Sequence, residues 1–190
     1  MNMQKRQLRT KLMEVPITVN IPPPKPAMVS YSNYYYSQFQ PTNDFVDYIA
    51  RVENSVKAGF KNGKWYPHKS FEGGSDTIAY GHKIQPGENF SNGITQQQAL
   101  ELLKKDIAVA ANNARLIVNK LYGPNSWERL DNTRKEMLVD FAFNGVLAKF
   151  PNFMRGAVLN IPSLMKAEYK RYSKGRELVD RNSQFAQRYL

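Results

Sequence analysis

Apolar residues recur at helical spacing where the first folded element is expected. The stripe follows the spacing i, i+4, i+7 and i+11 and consists of Phe45, Ile49, Val52 and Val56. This spacing predicts an amphipathic helix, and either Thr42 or Asn43 can cap its N-terminus. The helical pattern covers Asp44–Glu53, so it puts the carboxylate of Glu53 near a helix end, at the edge of the apolar stripe.

Turn signals and a short strand follow this helix. Asn62-Gly63 is a strong turn signal, which favours a hairpin within residues 57–66. A glycine-rich turn then begins at Glu72-Gly73-Gly74. Thr77–Tyr80 has the composition of a strand, so this region predicts a small β unit.

The second half of the chain is helical in pattern. Thr95 and Gln98 form a capping box, and Gly123-Pro124 stops the helix after about Tyr122. Its predicted buried face consists of Ala99, Leu102, Leu103, Ile107, Ala110 and Ala114. Further helices are predicted to begin at Asp131, Phe150, Pro162 and Glu177. The first of these should bury Met137, Leu138, Phe141 and Ala142. A small β unit followed by helices is typical of the α+β class.

Residues 1–43 are predicted to form an extended N-terminal arm, and residues 44–190 the folded domain. Pro22-Pro23-Pro24 favours the polyproline II conformation, and the aromatic stretch 31–39 has neither helical nor strand periodicity. Two interpretations are open. The arm is either a docking segment that becomes ordered on a partner or a leader that no partner orders.

The composition narrows the function classes. The 190 residues include no cysteine and only two histidines, which argues against disulfides, zinc–thiolate sites and histidine-rich metal centres. We therefore expect no metal and no cofactor. No apolar run approaches the roughly 20 residues that a membrane span needs. No apolar segment follows the basic N-terminus as it would in a secretory signal.

The net charge is +11, from 27 basic and 16 acidic residues. Such an excess favours a polyanionic partner, which is nucleic acid, an anionic membrane surface or an anionic cell-wall polymer. The sequence has no recognisable nucleic-acid-binding motif, so we do not expect nucleic acid to be the partner. A merely basic protein with no such partner is the remaining interpretation of the charge.

Acidic groups on two different elements are candidates for catalysis. Glu53 lies at the end of the first predicted helix, and Glu72 and Asp76 lie on or beside the glycine-rich turn. Two carboxylates that face each other across a cleft are what general acid–base hydrolysis needs. Spacing alone favours an ordinary solvent-exposed glutamate at position 53, so the hypothesis depends on what longer motifs add.

Four short motifs occur in order along the chain. They are Thr77-Ile78-Ala79-Tyr80-Gly81-His82, Ile94–Asp106, Asp140–Gly145 with the following Phe150-Pro151, and Gly175–Asn182. They resemble the Thr-Ile-Gly-Tyr-Gly-His signature, the interdomain helix, the central helix and the C-terminal region of the phage-type lysozymes, glycoside hydrolase family 24. The resemblance covers about residues 45–190. It implies a lysozyme-like α+β fold with a small β-hairpin lobe and a mostly helical lobe, to which residues 1–43 add an arm without a counterpart.

The resemblance implies roles for individual residues. Glu53 matches the family's general acid, and Thr77 matches its catalytic threonine, which helps to hold the attacking water. The family also has an aspartate six residues before that threonine, where this chain has a phenylalanine. The neighbouring Glu72 is our first choice for the second catalytic carboxylate, and Asp76 and His68 are the alternatives.

The chain departs from the family in two further places. Asn54 stands where the family has a glycine after its catalytic glutamate. The separation of Glu53 from Thr77 is longer than usual, because residues 57–64 form an insertion, and Asn62-Gly63 suggests that the insertion is an extra hairpin.

The resemblance also implies a substrate, peptidoglycan, cut at the β-1,4 bond between N-acetylmuramic acid and N-acetylglucosamine. By family position, His82 and Lys83 lie at the lip of the cleft and bind substrate, and Phe143 and Asn144 lie on its far wall. For His82 the alternative is a structural hydrogen bond across the hairpin, and for Phe143 it is core packing, as expected for Phe141.

Two other functions remain open at this point. One is a catalytically silent lysozyme-like virion protein, and the other is a lytic transglycosylase, which would need only one acid. A phage-encoded lysozyme would be made in the host cytoplasm and act on the periplasmic cell wall, reaching it through a holin-type pore or with the virion. The arm at residues 1–43 favours a virion or tail protein as a partner.

Overall fold

The computed structural model describes residues 39–70, 74 and 76–190. Most of the predicted N-terminal arm, the proposed carboxylate Glu72 and most of the glycine-rich turn lie outside the described residues. Of the predicted arm, Phe39 is buried, and its ring lies 6.2 Å from those of both Phe45 and Trp127. The core therefore includes a residue before the predicted domain boundary at position 44, while the arm itself stays a prediction.

Helices make up most of the described chain. They are α1 (Asn43–Glu53), α2 (Gln96–Tyr122), α3 (Asn132–Phe143), α4 (Pro151–Leu159), α5 (Pro162–Glu168) and α6 (Val179–Tyr189). The strands are β1 (Phe60–Lys61), β2 (Lys64–Trp65), β3 (His68–Lys69), β4 (Asp76–Ile78), β5 (His82–Lys83), β6 (Ile94–Thr95), β7 (Tyr172–Ser173) and β8 (Arg176–Glu177). The strands pair antiparallel in the orders β1-β2-β6, β3-β4-β5 and β7-β8. This is an α+β fold, as the sequence predicts.

Side-chain caps fix the helix starts that the sequence predicts. The Thr42 hydroxyl accepts a hydrogen bond from the Phe45 amide at 3.1 Å and so caps α1. Thr95 and Gln98 form both hydrogen bonds of the capping box at the start of α2. Asp131 caps α3 by accepting from the Arg134 amide at 2.8 Å. Each cap satisfies an amide that would otherwise lack a partner in the first turn.

Three residues lie outside the elements that the sequence predicts for them. Helix α1 ends at Glu53, so Val56 is not part of its apolar face and is 70% exposed. Strand β4 ends at Ile78, because Ala79 adopts a φ of 55° and starts the turn into β5. Glu177 belongs to β8 rather than to the last helix. The hairpin predicted at Asn62-Gly63 is confirmed.

The core lies between the helices, with α2 packed mainly on α3. Phe141 of α3 is fully buried, and its ring stacks on Phe153 with centroids 4.1 Å apart. The predicted face of α2 is buried except for Leu102, which is half-buried. In the part of the chain that the structure describes, no helix is both long and apolar enough to cross a bilayer.

His82 fastens the β3-β4-β5 sheet to α2. Its Nδ1 lies 2.9 Å from Asp106 Oδ2, and its Nε2 lies 2.9 Å from Glu88 Oε2. Burial lowers the pKa of His82, but the hydrogen bonds and charges of Asp106 and Glu88 outweigh burial and raise it to about 9. The histidine is therefore protonated at neutral pH, and its ion pairs connect two parts of the fold.

We predict that this connection stabilises the protein in acid and neutral solution and fails in base. Since the folded-state pKa of about 9 exceeds the ordinary value of 6.5, the contribution is complete below pH 6.5 and disappears as the pH rises through 9. It is on the order of 3 kcal/mol at most. Urea unfolding should show a destabilisation by Asp106→Asn at pH 6 that shrinks by pH 10.

Asp47→Asn is the matched control for this prediction, because Asp47 is an exposed aspartate of α1. It should leave the free energy of unfolding nearly unchanged at both pH values. A loss for Asp106→Asn that is equally large at pH 6 and pH 10 would show that the ion pair is not its cause.

Candidate active site

A cleft with a volume of about 950 Å³ lies between the end of α1, the β3-β4-β5 sheet, the end of α3 and the start of α6. Residues of interest on its walls are Glu53, Asn54, His68, Thr77, Phe143, Asn144, Asp180 and Arg181. The fold thus brings four predicted site residues together, namely Glu53, Thr77, Phe143 and Asn144. The last two stay predictions as substrate-binding residues, and both are half-buried at the end of α3.

Glu53, the last residue of α1, lines the cleft. Its side chain is 18% exposed, and its Oε1 accepts a hydrogen bond from Arg181 Nη1 at 2.5 Å. Gly81 lies beside the same carboxyl group, since a Cβ added to Gly81 would stand 3.6 Å from Glu53 Oε2. Gly81 also has a φ of +87°, so the turn favours glycine at this position.

Arg181 connects Glu53 to a fully buried aspartate. Arg181 Nη2 donates to Asp140 Oδ1 at 2.6 Å, and Arg171 Nη2 donates to Asp140 Oδ2 at 3.1 Å. The Tyr48 hydroxyl also donates to Asp140 Oδ2, at 2.9 Å. We call Glu53, Asp140, Arg171 and Arg181 the buried charge cluster. It holds together α1, α3, α6 and the segment before β7, because charges removed from water need partners.

The pKa values of the two acids in the buried charge cluster are shifted in opposite directions. Burial raises the pKa of Glu53, and the nearby charge of Arg181 opposes that rise without cancelling it. Burial also raises the pKa of Asp140, but the charges of Arg181 and Arg171 outweigh it, so the pKa of Asp140 lies below its usual value. Asp140 therefore stays ionised and keeps Arg181 from acting on Glu53 alone.

Asn54 joins the C-terminal end of α1 to the sheet. Its side-chain Nδ2 donates to the carbonyl oxygens of Ala79 at 2.6 Å and Ala58 at 3.0 Å. Its Oδ1 accepts from the Ala58 amide at 2.8 Å. This side chain is buried, and it takes up contacts that a glycine at the same position could not make.

One face of the β3-β4-β5 sheet carries three predicted polar residues side by side. The register pairs His68 with Thr77 and Thr77 with Lys83, and cross-strand partners share a face. His68 and Thr77 line the cleft, and Lys83 is exposed beside them. The Thr77 hydroxyl donates to the His68 carbonyl oxygen at 3.3 Å, so its own oxygen can accept a hydrogen bond from a water in the cleft.

Two other predicted candidates point to the opposite face. Since side chains alternate along a strand, His82 faces α2, and both of its ring nitrogens are taken by carboxylates. His82 thus makes structural hydrogen bonds to α2 and Glu88 instead of across the hairpin, and its role in substrate binding stays a prediction that this geometry does not favour. Asp76 is likewise outside the cleft, exposed and paired with Lys69 at 2.9 Å, so it is not suited to act as the base.

Sequence patterns assign no role to Asp140, Arg171 and Arg181. Two of them lie within the resembling motifs, and Asp140 directly precedes Phe141 on the apolar face of α3. An aspartate in such a place signals a buried charge that needs a cationic partner. It does not identify the partner, because Arg181 is 41 residues away in the sequence. Asp180 and Glu177 on the cleft wall were also not predicted.

No group of three or more histidine, aspartate and glutamate side chains suited to a metal ion occurs within residues 39–70, 74 and 76–190. In this part of the chain, the cleft offers carboxyl groups, hydroxyls, an imidazole, amides and two arginines. These groups suit general acid–base chemistry on a polar polymer.

Comparisons with known proteins address the fold. The sequence matches no protein-family model and no curated protein. Among solved structures, the chain is similar to the endolysin from Escherichia coli O157:H7 phage FAHEc1, with a TM-score of 0.51 and 17% sequence identity. The likeness covers 80% of this chain and 94% of the endolysin chain. The chain therefore has an endolysin-like α+β fold, as the resemblance implied, and membership of glycoside hydrolase family 24 stays a prediction.

We predict that Arg181→Gln raises the pKa of Glu53 further. The substitution removes the cation that opposes the effect of burial. Carbon-13 NMR titration of labelled glutamate side chains measures this pKa directly. Arg51→Gln removes the same charge from the cleft wall without touching Glu53, and it should leave the pKa close to that of the wild type. A fall in the pKa of Glu53 in Arg181→Gln would contradict the arrangement described above.

Proposed function

We propose that the protein is a peptidoglycan glycoside hydrolase, a muramidase that cleaves the β-1,4 bond between N-acetylmuramic acid and N-acetylglucosamine. One observation carries the proposal. Glu53 presents a carboxyl group of raised pKa on the wall of a large cleft, at the end of α1. The similarity in fold to a phage endolysin supports the same proposal.

In the proposed mechanism, Glu53 is the general acid. Burial keeps its carboxyl group protonated at a higher pH than usual, so it can give a proton to the oxygen of the departing sugar. The hydrogen bond from Arg181 holds the carboxyl group in one orientation. After the proton has left, the same guanidinium stabilises the new carboxylate. The negative charge of Asp140 keeps this cation from ionising Glu53 too early.

A water molecule held by Thr77 would attack the anomeric carbon from the opposite side of the sugar. Inversion of this kind needs a base roughly 6.5–9.5 Å from the acid. Glu72 remains the first choice for the base, from the resemblance. His68 is the alternative that the geometry supports, since it lines the cleft and is the cross-strand partner of Thr77.

The biological setting follows from the same proposal. A net charge of +11 would concentrate the protein on an anionic cell wall. We propose that the protein is phage-encoded, is made in the host cytoplasm and acts on the periplasmic wall during lysis. Delivery with the virion, through a virion or tail protein that binds residues 1–43, is the alternative route.

We predict that Glu53→Gln lowers turnover of purified peptidoglycan at least about a hundredfold, the usual contribution of a general acid. The wild-type rate should fall with rising pH as Glu53 ionises, and this fall should move to higher pH in Arg181→Gln. Glutamine keeps the shape of the side chain but has no proton to give. Turnover by Glu53→Gln near that of the wild type would rule out the mechanism.

Mass spectrometry of the products separates the proposal from its alternatives. A muramidase releases reducing ends, whereas a lytic transglycosylase releases anhydro-sugars. A silent lysozyme-like virion protein would bind the wall and release neither. Detection of anhydro-sugars alone would therefore show a lytic transglycosylase instead of a muramidase, with Glu53 still as the acid.

We predict that a panel of single substitutions identifies the base. Glu72→Gln should reduce turnover about as strongly as Glu53→Gln, while His68→Ala and Asp76→Asn stay within about tenfold of the wild type. Asp180→Asn is the matched control, because it neutralises another carboxylate of the cleft wall. A deep loss in His68→Ala beside a mild one in Glu72→Gln would assign the base to the imidazole.

A further inference from the structure

The segment that follows α1 carries positive charge without acidic residues to balance it. Residues 55–70 contain four lysines and no acidic residue. Lys69 has a partner in Asp76, but none of the ion pairs formed within the described chain involves Lys57, Lys61 or Lys64. We call these three the hairpin lysines. All three are exposed.

The fold holds these charges in a locally unfavourable arrangement. Lys61 and Lys64 are direct cross-strand partners in the β1–β2 hairpin, and like charges in such positions destabilise a strand pair. Lys57 has a φ of 51°, a left-handed conformation that lysine rarely adopts. Local rules that a fold breaks without a structural gain are typical of functional surfaces.

The contacts that the hairpin lysines do make leave their charge in place. The ammonium group of Lys61 lies 4.9 Å from the centroid of the Tyr66 ring, and that of Lys57 lies 5.8 Å from the Phe60 ring. Lys64 Nζ donates to the Asn92 carbonyl oxygen at 3.4 Å. Aromatic rings and a carbonyl orient an ammonium group but do not neutralise it.

The hairpin that carries these side chains is packed against the rest of the fold. Trp65, next to Lys64, is only 1% exposed, and its Nε1 donates to Gln96 Oε1 at 2.8 Å. Strand β2 also pairs with β6 at the start of α2. A surface fixed in this way loses little conformational entropy when a ligand binds to it.

The position of the hairpin identifies the ligand that it fits. Asn54 and Ser55 before it and His68 and Ser70 after it all line the cleft, so the hairpin lies at the edge of the cleft. A polymer that occupies the cleft and extends beyond it would meet the hairpin lysines. Their ammonium groups would then bind negative groups on the same strand that the cleft holds.

We propose that the hairpin lysines form an accessory surface that binds carboxylates of the peptidoglycan strand lying in the cleft. The inference rests on the proposed function, because that function supplies the polymer. It gives a physical reason for the three lysines within residues 57–64. It predicts that the surface contributes to the affinity for long anionic strands and takes no part in bond cleavage.

The first test measures binding and does not depend on turnover. A triple variant with Lys57→Gln, Lys61→Gln and Lys64→Gln is compared with a control triple variant, Lys120→Gln, Lys149→Gln and Lys166→Gln, of the same net charge. Sedimentation with purified peptidoglycan should show about tenfold weaker binding for the hairpin variant, since each exposed ion contact contributes a few-fold. The control should stay within about twofold of the wild type. Equal losses in the two variants would mean that only net charge matters and would overturn the proposal.

A second comparison identifies the negative group. Amidation of the peptidoglycan carboxyl groups should abolish the difference between the wild type and the hairpin variant. A difference that survives amidation would contradict the carboxylate assignment. Vesicles containing phosphatidylglycerol test the competing partner. If the substitutions weaken vesicle binding and leave peptidoglycan binding unchanged, the surface binds membranes and the proposal is wrong.

The kinetic test separates this proposal from the proposed function. On long peptidoglycan strands the hairpin variant should show a raised KM and an unchanged kcat, and on a short uncharged chitin oligosaccharide both constants should stay as in the wild type. A lowered kcat would contradict an accessory role. If the wild type has no turnover, the proposed function fails, yet selective loss of binding in the hairpin variant would still support the surface. Thermal unfolding should show no loss of stability, because the substitutions relieve repulsion between Lys61 and Lys64.

Discussion

The structure depends on how it accommodates charge away from water. Asp140 is completely buried, and such a group is tolerated only when it is paired and hydrogen-bonded. Arg171, Arg181 and the Tyr48 hydroxyl supply those partners from three separate parts of the chain. Glu53 joins the same cluster from the end of α1. The pairing that stabilises the helical core therefore also sets the position of the candidate catalytic carboxyl group.

This coupling explains why Glu53 can hold a proton beside an arginine. An isolated guanidinium at 2.5 Å would strongly favour the ionised acid. Here burial raises the pKa of Glu53, and the like charge of Asp140, which also bonds to Arg181, acts in the same direction as burial. Arg181 therefore orients the carboxyl group of Glu53, while its lowering of the pKa of Glu53 is partly offset by Asp140. A site built in this way is sensitive to any change that leaves one member of the cluster unpaired.

The sequence predicts best the features that depend on near neighbours. The starts of α1, α2 and α3 follow from Thr42, Thr95 and Asp131, because a cap acts within three residues of itself. The turn at Asn62-Gly63 is local in the same sense. Sequence patterns at this range contain no information about which distant residue pairs with which. Hence the sequence indicated Glu53 but could not assign its contact with Arg181.

The end of β4 shows another limit of sequence patterns. Thr77–Tyr80 has strand composition, yet Ala79 turns the chain with a positive φ, a conformation for which alanine gives no signal. The buried side chain of Asn54 bonds to the Ala79 carbonyl oxygen and offers a physical reason for the unusual turn. That contact joins α1 to the sheet and is again a long-range one. Side chains alternate between the two faces along β5. The register therefore puts Lys83, and not His82, on the same face as Thr77.

The buried acids of this protein are paired with arginines, whereas the hairpin lysines on the surface form no ion pair within the described chain. This difference separates charges with a structural role from charges suited to binding. Every acid of the buried charge cluster has a cationic partner, because an unpaired charge there would cost several kcal/mol. The hairpin lysines are exposed and form no ion pair within the described residues, and their contacts with two aromatic rings and a carbonyl oxygen leave their charge in place. Negative charge that approaches from outside would relieve the mutual repulsion of Lys61 and Lys64. The hairpin is anchored by the buried Trp65, yet its three lysines have no acidic partner in the described chain. An external anion is therefore the simplest physical account of this arrangement.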